Sequence, residues 1–452
     1  MAASKVQIPL KVVIHKQEER VLYAEANSDF VDILFSFLTM PMGTIIRFLS
    51  KHSNTTLPAA AVIGSFNNLY KSISNLQTRY FATEVCKDML LNTRNSAEVE
   101  CRKLKVNIDD IRPIEYFTCD LKCTSENFDA YVSTYNCVKC KNCSRFLENK
   151  AYFTDTRGED GQGVFVHRTA SFVITDDLHV IPIIPAATLA LLEKTGFTDF
   201  GVLEERNFHL GSTEILDLLK YSILSKTPLT SMFLGKNYVI VDKTIQTITN
   251  SQMSTEGNTS DKKMTVKVLV QKSNNKILLA EAAEDFAELL FTFLSIPLGK
   301  VISLLSASHS STVVAENLNK SVSDLNVNRY FKSQKLKNML LDPKLAEHYY
   351  SSNQIIPLKQ AATPSLCCEH LVNPKGSDVF MKARTMFMVT DDLVVTPLSS
   401  ATCFNYLNSL KVPPSDVKDQ VVNIDMQEAL NLLWATLNTS SVLNNGLKDS
   451  VE

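Results

Sequence analysis

Apolar and polar residues alternate from Leu10 to His15, the period of a strand with one buried face. Gln17-Glu18-Glu19-Arg20 interrupts the alternation as a polar turn, and Val21–Ala24 resumes it, so the chain opens with a β-hairpin. Asn27, Ser28 and Asp29 then offer helix N-caps. Phe30, Ile33, Leu34, Phe37 and Leu38 follow at helical spacing and give one apolar face. Pro41 and Gly43 stop or kink that helix, because proline disfavours a helical residue before it and glycine frees the backbone. Ile45, Ile46, Phe48 and Leu49 restart the helical pattern. A two-stranded hairpin is marginal alone. The helix is therefore predicted to cover its apolar face, which makes an α+β nucleus.

This pattern is written twice. Leu10–Leu49 and Val266–Leu305 align without a gap, and 17 of the 40 positions are identical. Later landmarks recur too. Asn68-Leu69, Lys71-Ser72 and Leu76 return as Asn317-Leu318, Lys320-Ser321 and Leu325. Arg79-Tyr80-Phe81 returns as Arg329-Tyr330-Phe331, and Thr175-Asp176-Asp177-Leu178 as Thr390-Asp391-Asp392-Leu393. An amphipathic helix beginning at Glu214 matches one beginning at Glu428. The predicted organisation is two tandem homologous modules, 8–243 and 264–452, each a β-hairpin plus amphipathic helices. The Ser, Thr and Asn-rich stretch 244–263 reads as a linker.

The offset between the copies shortens from 250 residues at Tyr80 to 215 at Thr175. The first module thus carries an insert, about 116–150, and five of the ten cysteines fall within it. Cys119 and Cys123 form one close pair; Cys137, Cys140 and Cys143 form a C-x2-C-x2-C run. Two close pairs separated by a loop are the spacing of a zinc ribbon, in which two turns bring four thiolates to one tetrahedral metal. The expected ligands are Cys119, Cys123, Cys140 and Cys143, because a strand pattern begins at Phe146; Cys137 with Cys140 is the alternative second pair. The second module has only the adjacent Cys367-Cys368 there, so one zinc per chain is expected.

Other candidates have structural readings. The repeated Glu25 and Asp29 (Glu281 and Asp285) fit a strand end and a helix cap. Asp176-Asp177 and Asp391-Asp392 fit hairpin turns. Arg79-Tyr80-Phe81 fits buried aromatics with the arginine paired to a carboxylate. Gly158 to Gly163 has neither the spacing nor the following helix of a phosphate loop. There is no Walker A sequence, G-x-S-x-G or H-E-x-x-H, and no two of the eight histidines stand at metal-ligand spacing.

Composition changes this picture little. A chain that is 45% apolar and 21% charged can bury large cores, and a net charge of −2 lacks the excess of a dedicated nucleic-acid binder. No apolar run reaches signal-peptide or membrane-span length, so an intracellular chain, cytoplasmic or nuclear, is expected.

Taken together, the repeated K-V-x-V…L-x-A-E-A…D-F…L-x-F-L-x-x-P-x-G, the Y-F-x-C…C…C-x-x-C insert and the M-V-T-D-D-L-x-V-x-P strand pair resemble a plant-specific family catalogued as domain of unknown function 674. Its members commonly carry the unit in tandem, and the resemblance implies no activity. The functional expectation is a non-catalytic interaction or scaffold protein with a structural zinc site and protein partners. The alternatives are an enzyme using a carboxylate site, Asp176-Asp177 or Glu25 with Asp29, and a nucleic-acid binder using Lys139, Lys141 and Arg145 of the insert.

Overall fold

The structure is a computed structural model, and it describes residues 6–51, 63–119, 123, 130–151, 163–194, 200–235, 262–306, 314–362 and 369–451. The sequence stretches 244–261 and 158–162 and Cys367-Cys368, considered above, lie outside the described residues.

The opening alternation forms β1 (Ile8–His15) and β2 (Arg20–Asn27), an antiparallel hairpin whose inward residues Ile8, Leu10, Val12 and Ile14 are all at most 2% exposed. The remaining strands of the first half are β3 (Tyr116–Thr118), β4 (Ala130–Ser133), β5 (Asn149–Ala151), β6 (Ser171–Thr175), β7 (Val180–Pro182) and β8 (Leu203–Leu210). Those of the second half are β9 (Met264–Gln271), β10 (Lys276–Ala282), β11 (Glu369–Leu371), β12 (Phe387–Thr390), β13 (Val395–Pro397) and β14 (Val417–Ile424). They build two five-stranded sheets of matching order, β7-β6-β2-β1-β8 and β13-β12-β10-β9-β14, and a four-stranded sheet, β11-β4-β3-β5. The chain is thus mixed α+β. In each large sheet the hairpin carries a register shift at the same place, Val13/Ile14 and Ile277/Leu279.

The helix after the first hairpin spans Ser28–Ser36 and tightens to a 3-10 turn at Phe37–Thr39. Asn27, not Asp29, caps it, accepting from the Phe30 N–H at 3.2 Å. The sequence predicts one apolar face, but the helix is buried all round: Val31 and Phe35 are as inaccessible as Phe30 and Leu34. The cause is the other half of the chain. Phe35 stacks on Phe331 with ring centroids 6.1 Å apart, while the opposite face packs on its own sheet.

Such exchanges are reciprocal. The Ser72 hydroxyl of helix Phe66–Asn75 accepts from the Val395 N–H of β13 at 2.9 Å, and Ser321 of helix Ala315–Asp324 accepts from the Val180 N–H of β7 at 2.9 Å. Asn68 donates to the Asp392 carbonyl and Asn317 to the Asp177 carbonyl, each at 2.8 Å. The two Pro-x-Gly segments also meet: the Met42 N–H donates to Ile296 O, and the Leu298 N–H to Met40 O. Here Gly299 serves close approach. A β-carbon on it would lie 2.9 Å from the Leu38 carbonyl oxygen. One continuous core therefore contains residues of both halves.

Candidate metal centre

The cysteine-bearing insert folds as the small sheet. β3 leads directly into Cys119, and β5 returns beside it, pairing Thr118 with Asn149. The second turn is a tight knuckle. The Cys140 N–H donates to Arg145 O at 2.8 Å and the Ser144 N–H to Cys140 O at 2.9 Å, with Ser144 at φ 57°. The Leu147 N–H then donates to Val138 O at 2.9 Å, closing the hairpin.

These turns bring the sulfurs of Cys119, Cys123, Cys140 and Cys143 within 4.8 Å of one another. The Cys123 and Cys140 sulfurs are 3.9 Å apart, and none of the four cysteines is in a disulfide. A tetrahedral metal with metal–sulfur bonds of about 2.3 Å places its sulfurs about 3.8 Å apart. The group therefore has the spacing of a ligand set and can hold a metal ion. Cys137 is exposed and lies outside it. Burial opposes ionisation of Cys140, but the N–H groups of Cys143 and Asn142 and the Cys119 thiol outweigh it and bring this thiol down to about 7. Burial pushes Cys119 the other way, aided by the Cys123 and Cys140 thiols.

The site is not confined to the insert. β11 of the second half pairs in parallel with β4, His370 against Tyr131 and Leu371 against Val132. The Val372 N–H donates to Val132 O at 2.7 Å, and the Val372 side chain joins Cys119, Cys140 and Leu147 in one buried cluster. The Tyr131 and His370 rings lie 5.8 Å apart. The sequence carries no signal for this contact, because the segment after Cys368 has no cysteine and no strong strand period. On the outer side of the knuckle Phe146 is 47% exposed, and the Lys139 ammonium stands 5.7 Å from its ring centroid.

The other candidates are taken up structurally. Glu25 faces Lys11 at 3.5 Å across the hairpin, and Glu281 faces Lys267 at 3.8 Å. Asp29 pairs with Lys105 at 3.2 Å. Asp176 accepts from the Thr230 N–H and hydroxyl at 2.8 and 2.6 Å; burial still pushes it up to about 6. Asp177 accepts from the Thr175 hydroxyl inside the β6–β7 turn, and Asp392 from Thr390 in the β12–β13 turn. Arg79 does not take the predicted carboxylate partner. It lies over the Tyr80 ring and donates to its hydroxyl at 3.0 Å.

Two buried carboxylates were not singled out as sites. Asp32 accepts from the N–H groups of Val164, Phe165 and Val166 at 2.7 to 2.9 Å. Glu288, at the matching repeat position, accepts from the Phe380 and Met381 N–H groups and the Ser351 hydroxyl. Lys375, 1% exposed, lies over the Phe380 ring and donates to Tyr350 O at 2.6 Å. A usable signal exists for the pair: an acid recurs in both copies between apolar neighbours, Val31 and Ile33 in one, Ala287 and Leu289 in the other.

A family model described as "Protein of unknown function (DUF674)" matches residues 4–428, and the chain belongs to that family. No curated protein and no solved structure matches it. No helix among the described residues is long and apolar enough to cross a membrane.

Proposed function

We propose that this DUF674 chain is a non-catalytic intracellular interaction protein, built from two tandem modules, in which Cys119, Cys123, Cys140 and Cys143 hold one structural zinc ion. The observation that carries the reading is the convergence of those four sulfurs within 4.8 Å in a small sheet that draws strands from both halves. Four sulfur ligands suit zinc among the divalent ions, and a closed set of four protein ligands is structural rather than catalytic. The carboxylates weighed as an enzyme site are engaged by lysines, hydroxyls and backbone N–H groups instead. On this reading the zinc fixes the insert against the second half and so presents a surface to protein partners. Elemental analysis of the purified chain tests it: one zinc per chain is expected, falling to none in Cys140→Ser. A wild-type chain without bound metal would overturn the site. Partners recovered by affinity purification with wild type and lost with Cys140→Ser would support the scaffold; the same partners with both would overturn the role given to the insert.

A second reading rests on the exposed Phe146 beside Lys139, with Lys141 also exposed. An aromatic face flanked by cations suits bases and phosphates of a single strand. Salt-dependent binding of a labelled oligouridine, lost in Phe146→Ala, would favour it. Oligouridine affinity unchanged by Phe146→Ala would sink it.

A further inference from the structure

The reciprocal packing leaves a joint between β7 of the first half and the end of helix Ala315–Asp324 of the second. A cavity of about 340 Å³ opens there, lined by residues of both halves, among them His179, Pro182, Leu325 and Tyr330. That volume is near the lower end of ligand pockets, about 300–1,000 Å³. Its floor is fixed. Ser321 accepts from the Val180 N–H, and Asn317 holds the Asp177 carbonyl. Tyr330 is anchored from behind by Phe172, with ring centroids 5.9 Å apart.

Asp324 and Arg329 both line this cavity. Neither has an ion-pair or side-chain hydrogen-bond partner among the described residues, and they do not pair with each other. The repeat supplies a comparison. At the matching joint, Arg79 is satisfied by the ring and hydroxyl of Tyr80. The positions of Asp324 and His179 are there occupied by Asn75 and Val394. One joint thus has its arginine engaged and no acid at the Asp324 position. The other presents an unengaged guanidinium and carboxylate around an aromatic and apolar wall.

We propose that the cavity lined by Asp324, Arg329 and Tyr330 binds a small zwitterion, a free amino acid with an apolar or aromatic side chain. The guanidinium takes the α-carboxylate through two parallel N–H bonds, a geometry suited to a planar carboxylate. Asp324 takes the ammonium group. The side chain lies against Tyr330, Pro182 and Leu325. Opposite charges on one cavity wall, not paired with each other, favour a ligand that carries both, since such a ligand engages each of them.

Isothermal titration of the full chain with L-phenylalanine, L-leucine and L-tyrosine tests this, with phenylalanine amide and N-acetylphenylalanine as controls. At least one free amino acid is expected to bind, and the two controls, each lacking one charge, to bind about tenfold or more weakly. Arg329→Ala and Asp324→Asn are expected to cause losses of about the same size, while Arg79→Ala leaves binding unchanged. Both target side chains are exposed, so the variants retain the fold. No binding by any of the three amino acids at millimolar concentration would overturn the proposal. So would equal affinity for the acid and its amide, or undiminished binding by Arg329→Ala.

Discussion

The two halves meet the same structural demand with different side chains. In each, a carboxylate on the helix after the opening hairpin reaches through the core to hold a returning loop. Asp32 does this with three backbone N–H groups; the longer Glu288 uses two, a serine hydroxyl and Asn353. Beside the N–H groups that Asp32 holds, Gly163 lies at φ +74°, where a β-carbon would stand 2.3 Å from Val166 O. Among the described residues the small cysteine sheet has no such counterpart; β11 contributes an edge strand to it. Features that recur in both halves secure the frame, whereas among the described residues the thiol cluster and the joint lined by Asp324 and Arg329 each occur in one half.

The sharpest way to break this division is to remove the thiols. Cys140→Ser is expected to collapse amide protection over 130–151 and 369–372, because metal binding is worth on the order of 10 kcal/mol to a small loop-rich unit. Protection over 8–27 and 264–282 should persist. Hydrogen exchange that leaves 369–372 unchanged would show that the second half is not held by the site.

A test of the shared frame comes next. Asp32→Ala strands three buried N–H groups, at about 1–3 kcal/mol each, so a loss of about 3–9 kcal/mol is expected in urea unfolding. Glu288→Ala should cost a similar amount, and a loss below about 1 kcal/mol in either would deny the equivalence.

Acidity gives a further test of this pair, since burial raises both carboxylates. Burial raises Asp32 to about 6 against its three N–H bonds, from an ordinary 3.8. Between those values the folded chain retains a proton that the unfolded chain has released. The stability this group contributes is therefore full below about pH 4 and is lost as pH rises through about 6, by on the order of 2–3 kcal/mol. Asp32→Asn should flatten that part of the profile between pH 4.5 and 7; an unchanged slope would assign it elsewhere.

The smallest effect concerns the caps. Asn27→Ala should cost about 1 kcal/mol, whereas Ala283, at the matching place, makes no side-chain cap, so Ala283→Asn should gain about 0.5 kcal/mol or more. A fall in thermal midpoint for Asn27→Ala and a smaller rise for Ala283→Asn would be the cleanest sign that the helices are interchangeable in kind.

Hairpins, helices and turns were legible in the sequence because each is set by local spacing: Leu10–His15, Phe30–Leu38 and the Thr175-Asp176-Asp177 turn all stand where the pattern placed them. The convergence of Cys119, Cys123, Cys140 and Cys143 was legible for the same reason. What periodicity cannot carry is the identity of the partner. An apolar residue such as Phe35 signals burial but not that Phe331, far along the chain, buries it. Likewise nothing around Val372 announces that it packs against thiols. Arg79 likewise takes its neighbouring ring and hydroxyl, a partner no periodicity names.

The crossed hydrogen bonds of Ser72 and Ser321 also impose a timetable on synthesis. Val180 and Ser321 are 141 positions apart, and Ser72 and Val395 are 323 apart. At about 5–20 residues added per second, β7 waits roughly 7–30 s on the ribosome for the helix that covers it, and helix Phe66–Asn75 waits roughly 15–65 s for β13. During that interval the nascent first half presents core residues such as Phe172 and Leu69 with their cover unmade. A nascent or truncated first half therefore lacks the groups of the second half that complete these contacts.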